Sequence, residues 1–188
     1  MSGLEAVASL LALAMVGFNL RVHPAGWPLA MASAALYVIV FWQGRLYGQA
    51  ALQGLFIGVS AWGWWQWLRG TEASGTPLQV RWLQPRQRLA VLAGTLMAWP
   101  LLAALLAQGT DSAAPVLDAL TTVGALAGQL LLARKRVENW PVWVAVNVLS
   151  VVLFVQAGLW PTAALYTAFA VLAAWGWVRW SRLAGPRT

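Results

Sequence analysis

Several side chains with hydrogen-bonding or stacking chemistry stand in the middle of apolar runs, where water cannot satisfy them. They are Gln53, Gln129, Trp143, Asn147 and Tyr166. A carboxamide both donates and accepts, so Asn147 and Gln129 can bond hydroxyl or amide groups of a small solute. They can equally staple one helix to another, the other use of a buried amide in an apolar bundle. Trp143 precedes Asn147 by one helical turn, which puts indole and amide on one face. Trp64 and Trp177 each follow a glycine in a Trp-Gly-Trp triplet. Facing indoles there would sandwich a flat ring, with about 0.5–2 kcal/mol of cation–π attraction for a charged one. Trp67 and Trp180, nearer the ends of their runs, read as interfacial anchors, and Trp62 and Trp65 as packing residues. Asp118 stands about one turn into its run with Thr121 and Thr122 beneath it. It can meet a cationic solute in an outer vestibule, or pair with a neighbouring helix.

None of this is catalytic machinery. There is no cysteine, and the single histidine, His23, sits in a short loop beside Pro24. No HExxH, mid-span carboxylate dyad or Gly-rich phosphate loop with lysine occurs. The sequence therefore predicts no catalytic residue, no metal site and no cofactor. It is not read as an enzyme.

These side chains must be positioned by membrane-spanning helices. The 188-residue chain is 61% hydrophobic and 9% charged, with mean hydropathy +0.68. A soluble domain carries roughly 25% charge, so a water-soluble globule is excluded, and so is disorder. A span needs about 20 apolar residues. Seven runs qualify, near 4–20, 27–43, 47–67, 87–108, 114–133, 140–157 and 160–180, with Pro100 and Pro115 interrupting the fourth and fifth. Seven spans put eleven basic residues (Arg21, Arg69, Arg81, Arg86, Arg88, Arg134, Lys135, Arg136, Arg179, Arg182 and Arg187) on one side and Arg45 alone on the other. That asymmetry makes the basic side and the C-terminus cytoplasmic and the N-terminus external. The positive charge is thereby used as membrane anchoring, and no nucleic-acid partner is expected.

The chain also repeats itself. Trp140 lies 113 residues after Trp27, and at that offset residues 27–67 align with 140–180 without a gap. Trp27-Pro28 meets Trp140-Pro141, Phe41 meets Phe154, Gln43 meets Gln156, and Trp62-Gly63-Trp64 meets Trp175-Gly176-Trp177. Upstream, Arg21 meets Arg134 and Glu5 meets Asp118. The expected organisation is repeat 1 over 4–67, a loop and linker helix over 68–113, repeat 2 over 114–180 and a tail over 181–188. An odd number of spans per repeat needs one extra crossing to keep both parallel. Such 3+1+3 proteins hold their site near the midplane between repeats. An asymmetric solute needs an asymmetric site, and repeat 2 has gained groups where repeat 1 has not. Asn147 replaces Ala34, Trp143 replaces Ala30, Gln129 replaces Val16, and Tyr166 replaces Gln53. Gly54 and Gly58 form a small-residue face suited to helix or protomer packing.

Gly44-Arg-Leu-Tyr-Gly-Gln continuing to Trp62-Gly-Trp-Trp-Gln-Trp67, then Glu138-Asn139-Trp140 with Trp143 and Asn147, then Trp175-Gly-Trp-Val-Arg-Trp180 resemble the PnuC-type vitamin transporters over nearly the whole chain. The resemblance implies an all-α integral membrane fold related to the SWEET transporters, a homotrimer in the bacterial inner membrane, and facilitated diffusion of a vitamin. It implies nicotinamide riboside first, with trapping by a cytoplasmic kinase, and thiamine or riboflavin as alternatives. The acids Glu5, Glu72, Asp111, Asp118 and Glu138 all lie at or near helix ends or in loops. No acid, Lys, Arg or His sits at mid-span, so a uniporter is expected rather than an ion-coupled carrier. A non-transporting membrane scaffold subunit is the alternative of a different class. It would not need Asn147, Gln129 and Trp143 on one repeat only. The expected solute-binding residues are Gln53, Trp64, Asp118, Thr122, Gln129, Trp143, Asn147, Tyr166 and Trp177.

Overall fold

The computed structural model describes residues 3–43, 47–72, 74–110, 114–156 and 160–186. Gly44, Arg45, Asp111, Gly158 and Arg187, and the side chain of Glu5, fall outside what it describes. Seven helices occupy the described residues: α1 (Gly3–Leu20), α2 (Gly26–Gln43), α3 (Tyr47–Arg69), α4 (Pro85–Gly109), α5 (Pro115–Ala133), α6 (Asn139–Gln156) and α7 (Trp160–Ala184). Each apolar run has become one helix, as a multi-pass membrane protein requires. α4, α5 and α6 are long and apolar enough to cross a membrane, while Ala6–Leu20 and Gly26–Val40 are shorter apolar helices.

The helix ends differ from expectation for identifiable reasons. Pro115 opens α5 and Pro85 opens α4, where the missing N–H has no intrahelical partner to lose. Gln87 Oε1 accepts the Gln84 N–H at 3.1 Å and fixes the entry to α4. Pro100 lies inside α4 and deprives the Leu96 carbonyl of its ordinary donor. α7 runs four residues past Trp180, because Arg179 and Arg182 can lay apolar stems along the helix and keep their heads in water.

The chain divides into two compact units. One comprises Met1–Gln79 with Ala133–Lys135, the other Val80–Leu132 with Arg136–Thr188. In the first, α2 packs against both α1 and α3. Ser33 Oγ donates to the Ala8 carbonyl at 2.9 Å, and the Ser9 and Tyr37 hydroxyls meet at 3.1 Å. The Trp27 ring lies against Gly63, where a Cβ would collide with it, and stands edge-on to Trp67 at 5.5 Å and 84°. In the second unit α6 packs against α7. Trp140 lies against Gly176 in the same way and stands edge-on to Trp180 at 5.4 Å and 83°. Each of these residues is 113 positions from its counterpart, so the sequence repeat recurs as one packing motif.

Trp67 and Trp180 are therefore not interfacial anchors. Both are buried, as are Trp27 and Trp140. The glycine of each Trp-Gly-Trp triplet makes the seat for the first-turn tryptophan of the preceding helix, and the last tryptophan of the run closes over it. Trp62 and Trp65, expected to pack, are exposed instead. Gly54 and Gly58 meet nothing within 4 Å.

The turns repeat as well. His23 N–H bonds Phe18 O at 3.0 Å, and Arg136 N–H bonds Leu131 O at 2.9 Å, closing α1 and α5 alike. The residue before each donor, Val22 or Lys135, has φ of 55° or 53°. This is the left-handed cap that glycine usually supplies.

Candidate functional site

On α5, Asp118, Thr122 and Gln129 are spaced by four and seven residues and share one face. On α6, Trp143 and Asn147 share another. Two glycines on a different face of α5, about a third of a turn from that stripe, bring the two helices together. A Cβ on Gly124 would strike Val146 Cγ2 at 2.7 Å, and one on Gly128 would lie 3.0 Å from Trp143 Cε2 and 3.1 Å from its Nε1. The Trp143 indole thus lies over α5 one residue before Gln129. This Gly-x-x-x-Gly seat went unnoticed in the sequence, although its spacing is the small-residue signature of close helix contact.

Both amides are buried, Gln129 at 6% exposure and Asn147 at 5%. Gln129 is engaged by another group. No described residue bonds the Asn147 amide. Repeat 1 has alanine at the equivalent position. Asp118, in the first turn of α5, adds negative charge where the helix dipole favours it. Thr121, beside it, is turned to its own helix, with Oγ1 donating to the carbonyls of Leu117 at 3.1 Å and Asp118 at 3.0 Å.

Tyr166 and Trp177 lie eleven residues apart on one stripe of α7, and Gln53 and Trp64 repeat that spacing on α3. Tyr166 is held among aromatic rings, with centroids 5.0 Å from Phe154 and 5.8 Å from Phe169. Trp64 and Trp177 are each 38% exposed. Equal exposure at equivalent positions is what two aromatic side chains presented rather than packed would show. Ser60 lies on the Gln53–Trp64 stripe, buried, opposite Ala173 in the repeat. Its signal in the sequence is a polar group present in repeat 1 and absent from repeat 2. The reverse comparison also finds Asn19 against Leu132 and Ser33 against Val146, all buried.

Among the described residues the basic side chains lie near helix ends or in the turns and loops between helices. Arg134 Nη1 donates to Gln66 Oε1 at 3.3 Å, and its guanidinium lies 5.9 Å from the Trp62 ring. Lys135 Nζ donates to Leu78 O at 3.1 Å over Trp67. Burial of this ammonium lowers its pKa from the ordinary lysine value. Among the described residues no three His, Asp or Glu side chains gather as a metal site would need.

Comparison with known proteins gives a consistent answer. The family described as nicotinamide mononucleotide transporter matches residues 2–182. The nicotinamide riboside transporter PnuC of Escherichia coli K12 is 27% identical over all of this chain and 90% of its own length. The riboflavin/roseoflavin transporter RibM of Streptomyces davaonensis is 29% identical over 94% of this chain and 83% of its own. The crystal structure of the vitamin B3 transporter PnuC superposes with a TM-score of 0.78 at 25% identity, over 96% of this chain and 81% of that one. With seven helices, a duplicated tryptophan–glycine packing motif and a family match over residues 2–182, the chain belongs to the nicotinamide mononucleotide transporter family, whose members are membrane transporters and not enzymes.

Proposed function

We propose that this protein is a uniporter of nicotinamide riboside. The buried Asn147 amide, which no described residue bonds, carries this reading, because helical spacing puts this donor–acceptor pair on one face with the Trp143 indole. An amide bonds ribose hydroxyls or the nicotinamide carboxamide, and indoles attract the cationic ring. Gln53, Trp64, Asp118, Thr122, Gln129, Tyr166 and Trp177 are the further solute-binding groups of this reading. A phosphorylated solute would need a cation along its path, and among the described residues every Lys and Arg lies near a helix end or in a loop. The riboside is therefore favoured over the mononucleotide.

α1–α3 (residues 4–67) and α5–α7 (114–180) are read as parallel repeats joined through 68–113, with the tail from 181. The protein sits in the bacterial inner membrane with its C-terminus cytoplasmic, on the charge asymmetry, and assembles as a homotrimer, on the family resemblance. A cytoplasmic kinase then traps the solute for NAD biosynthesis. Riboflavin is the second reading, supported by the RibM relative; thiamine shares the cationic ring chemistry. Titration of the purified protein with the three vitamins, followed by its tryptophan fluorescence, separates them. Saturable quenching by nicotinamide riboside at the lowest concentration supports the proposal, and tighter riboflavin or thiamine binding overturns it.

A further inference from the structure

The Glu138-Asn139-Trp140 segment is outside the proposed solute-binding set, and the contacts of Glu138 surround the start of α4. The two carboxylate oxygens of Glu138 accept the Leu83 N–H at 3.1 and 3.0 Å, and Oε1 also accepts Arg88 Nε–H at 2.8 Å. Val137 N–H bonds the Arg81 carbonyl at 3.0 Å, a single parallel bridge of Arg81 with Arg136. Trp82, between the bonded residues, donates its indole N–H to Gly185 O at 3.0 Å beyond α7 and lies under the Arg88 guanidinium. The approach to α4 is thus stitched to the α5–α6 turn and to the end of α7.

α4 is thinly packed, since none of its residues is buried and a stripe through Arg88, Val91, Thr95, Trp99, Leu102 and Leu106 is half-buried. So shallow a face leaves the polar ties a large share in positioning the helix. Beyond the Glu138 cluster, the cross-helix bond described for it is Trp99 Nε1–H to Val116 O at 2.9 Å. Both ties lead to the same partner, since Val80–Leu132 and Arg136–Thr188 form one compact unit. We propose that Glu138 is a positioning residue that fastens α4 to α5–α7, so that α4 travels with the second repeat during transport and is not a slack linker. The solute need not touch Glu138 for this, and the inference rests on the transport reading only for the motion it constrains.

The chain has no cysteine, so spin labels placed at Leu92→Cys on α4 and Val178→Cys on α7 report one distance cleanly. That distance should stay fixed when nicotinamide riboside is added. Glu138→Gln, which keeps shape and removes charge, should broaden it without any solute present. It should also slow uptake roughly ten-fold, as loss of a charge-assisted contact predicts, with solute affinity unchanged. The charge swap Glu138→Arg with Arg88→Glu should restore part of the rate, a recovery that a general folding defect would not show. Should Glu138→Gln fail to fold, Arg88→Leu breaks the same ion pair and takes its place. An α4–α7 distance that shifts on solute addition in the unsubstituted clasp overturns the proposal. So does a Glu138→Gln protein with a sharp, unchanged distance. Because the solute-free comparison needs no ligand, failure of nicotinamide riboside to bind would refute the substrate assignment and leave this inference standing or falling on its own result.

Discussion

At the scale of single residues the account turns on Asn147. Asn147→Leu removes a buried amide that no described residue bonds. If that amide serves the solute, affinity falls roughly 3- to 150-fold, the equivalent of about 0.5–3 kcal/mol for a lost hydrogen bond. The thermal midpoint should hold or rise, because no partner is orphaned inside the bundle. A helix staple would behave oppositely, with a fall in midpoint and unchanged affinity; titration and thermal unfolding of one preparation separate the two. That Asn147 breaks the symmetry of the repeats was legible in the sequence, because repeat 1 has alanine there. Ser60 was equally legible by the same comparison run in the other direction. Legibility ended at Trp143, whose place over Gly128 depends on how closely α5 and α6 approach, a property of two surfaces that no single run encodes.

At the scale of elements, helix positions followed from apolar length, since a span has few alternatives in lipid. The roles of the tryptophans did not. A tryptophan near a helix end reads as an anchor on composition alone, yet Trp67 and Trp180 are buried over Trp27 and Trp140. The deciding residues were Gly63 and Gly176, whose missing Cβ atoms make room for the rings. Gly63→Ala and Gly176→Ala should therefore each cost about 1–3 kcal/mol of stability through overpacking. Thermal unfolding checks this, and Gly54→Ala, at a position with nothing nearby, should change it little. The left-handed caps make a second element-scale test. Val22 is β-branched at φ 55°, so Val22→Gly should stabilise by about 1 kcal/mol. Lys135→Gly gains the same backbone relief but loses the contacts to Leu78 and Trp67, so it should gain less or lose stability.

At the scale of the whole molecule the charge asymmetry and the odd span count make one joint prediction. Cysteine introduced at Ser74 should be modified only by reagent on the cytoplasmic side, and at Ser112 only from outside. Labelling of Ser112→Cys from inside would break both the seven-span topology and the parallel orientation of the repeats. The proposed uniport draws its support at this scale from the acids, Lys, Arg and His all standing away from mid-span in the sequence. The most direct test is uptake of labelled nicotinamide riboside by proteoliposomes holding the purified protein alone. Saturable entry that stops when the inside concentration equals the outside, and is indifferent to proton and sodium gradients, is the predicted result. Accumulation above the external concentration when a gradient is imposed, or no saturable entry at all, would contradict it.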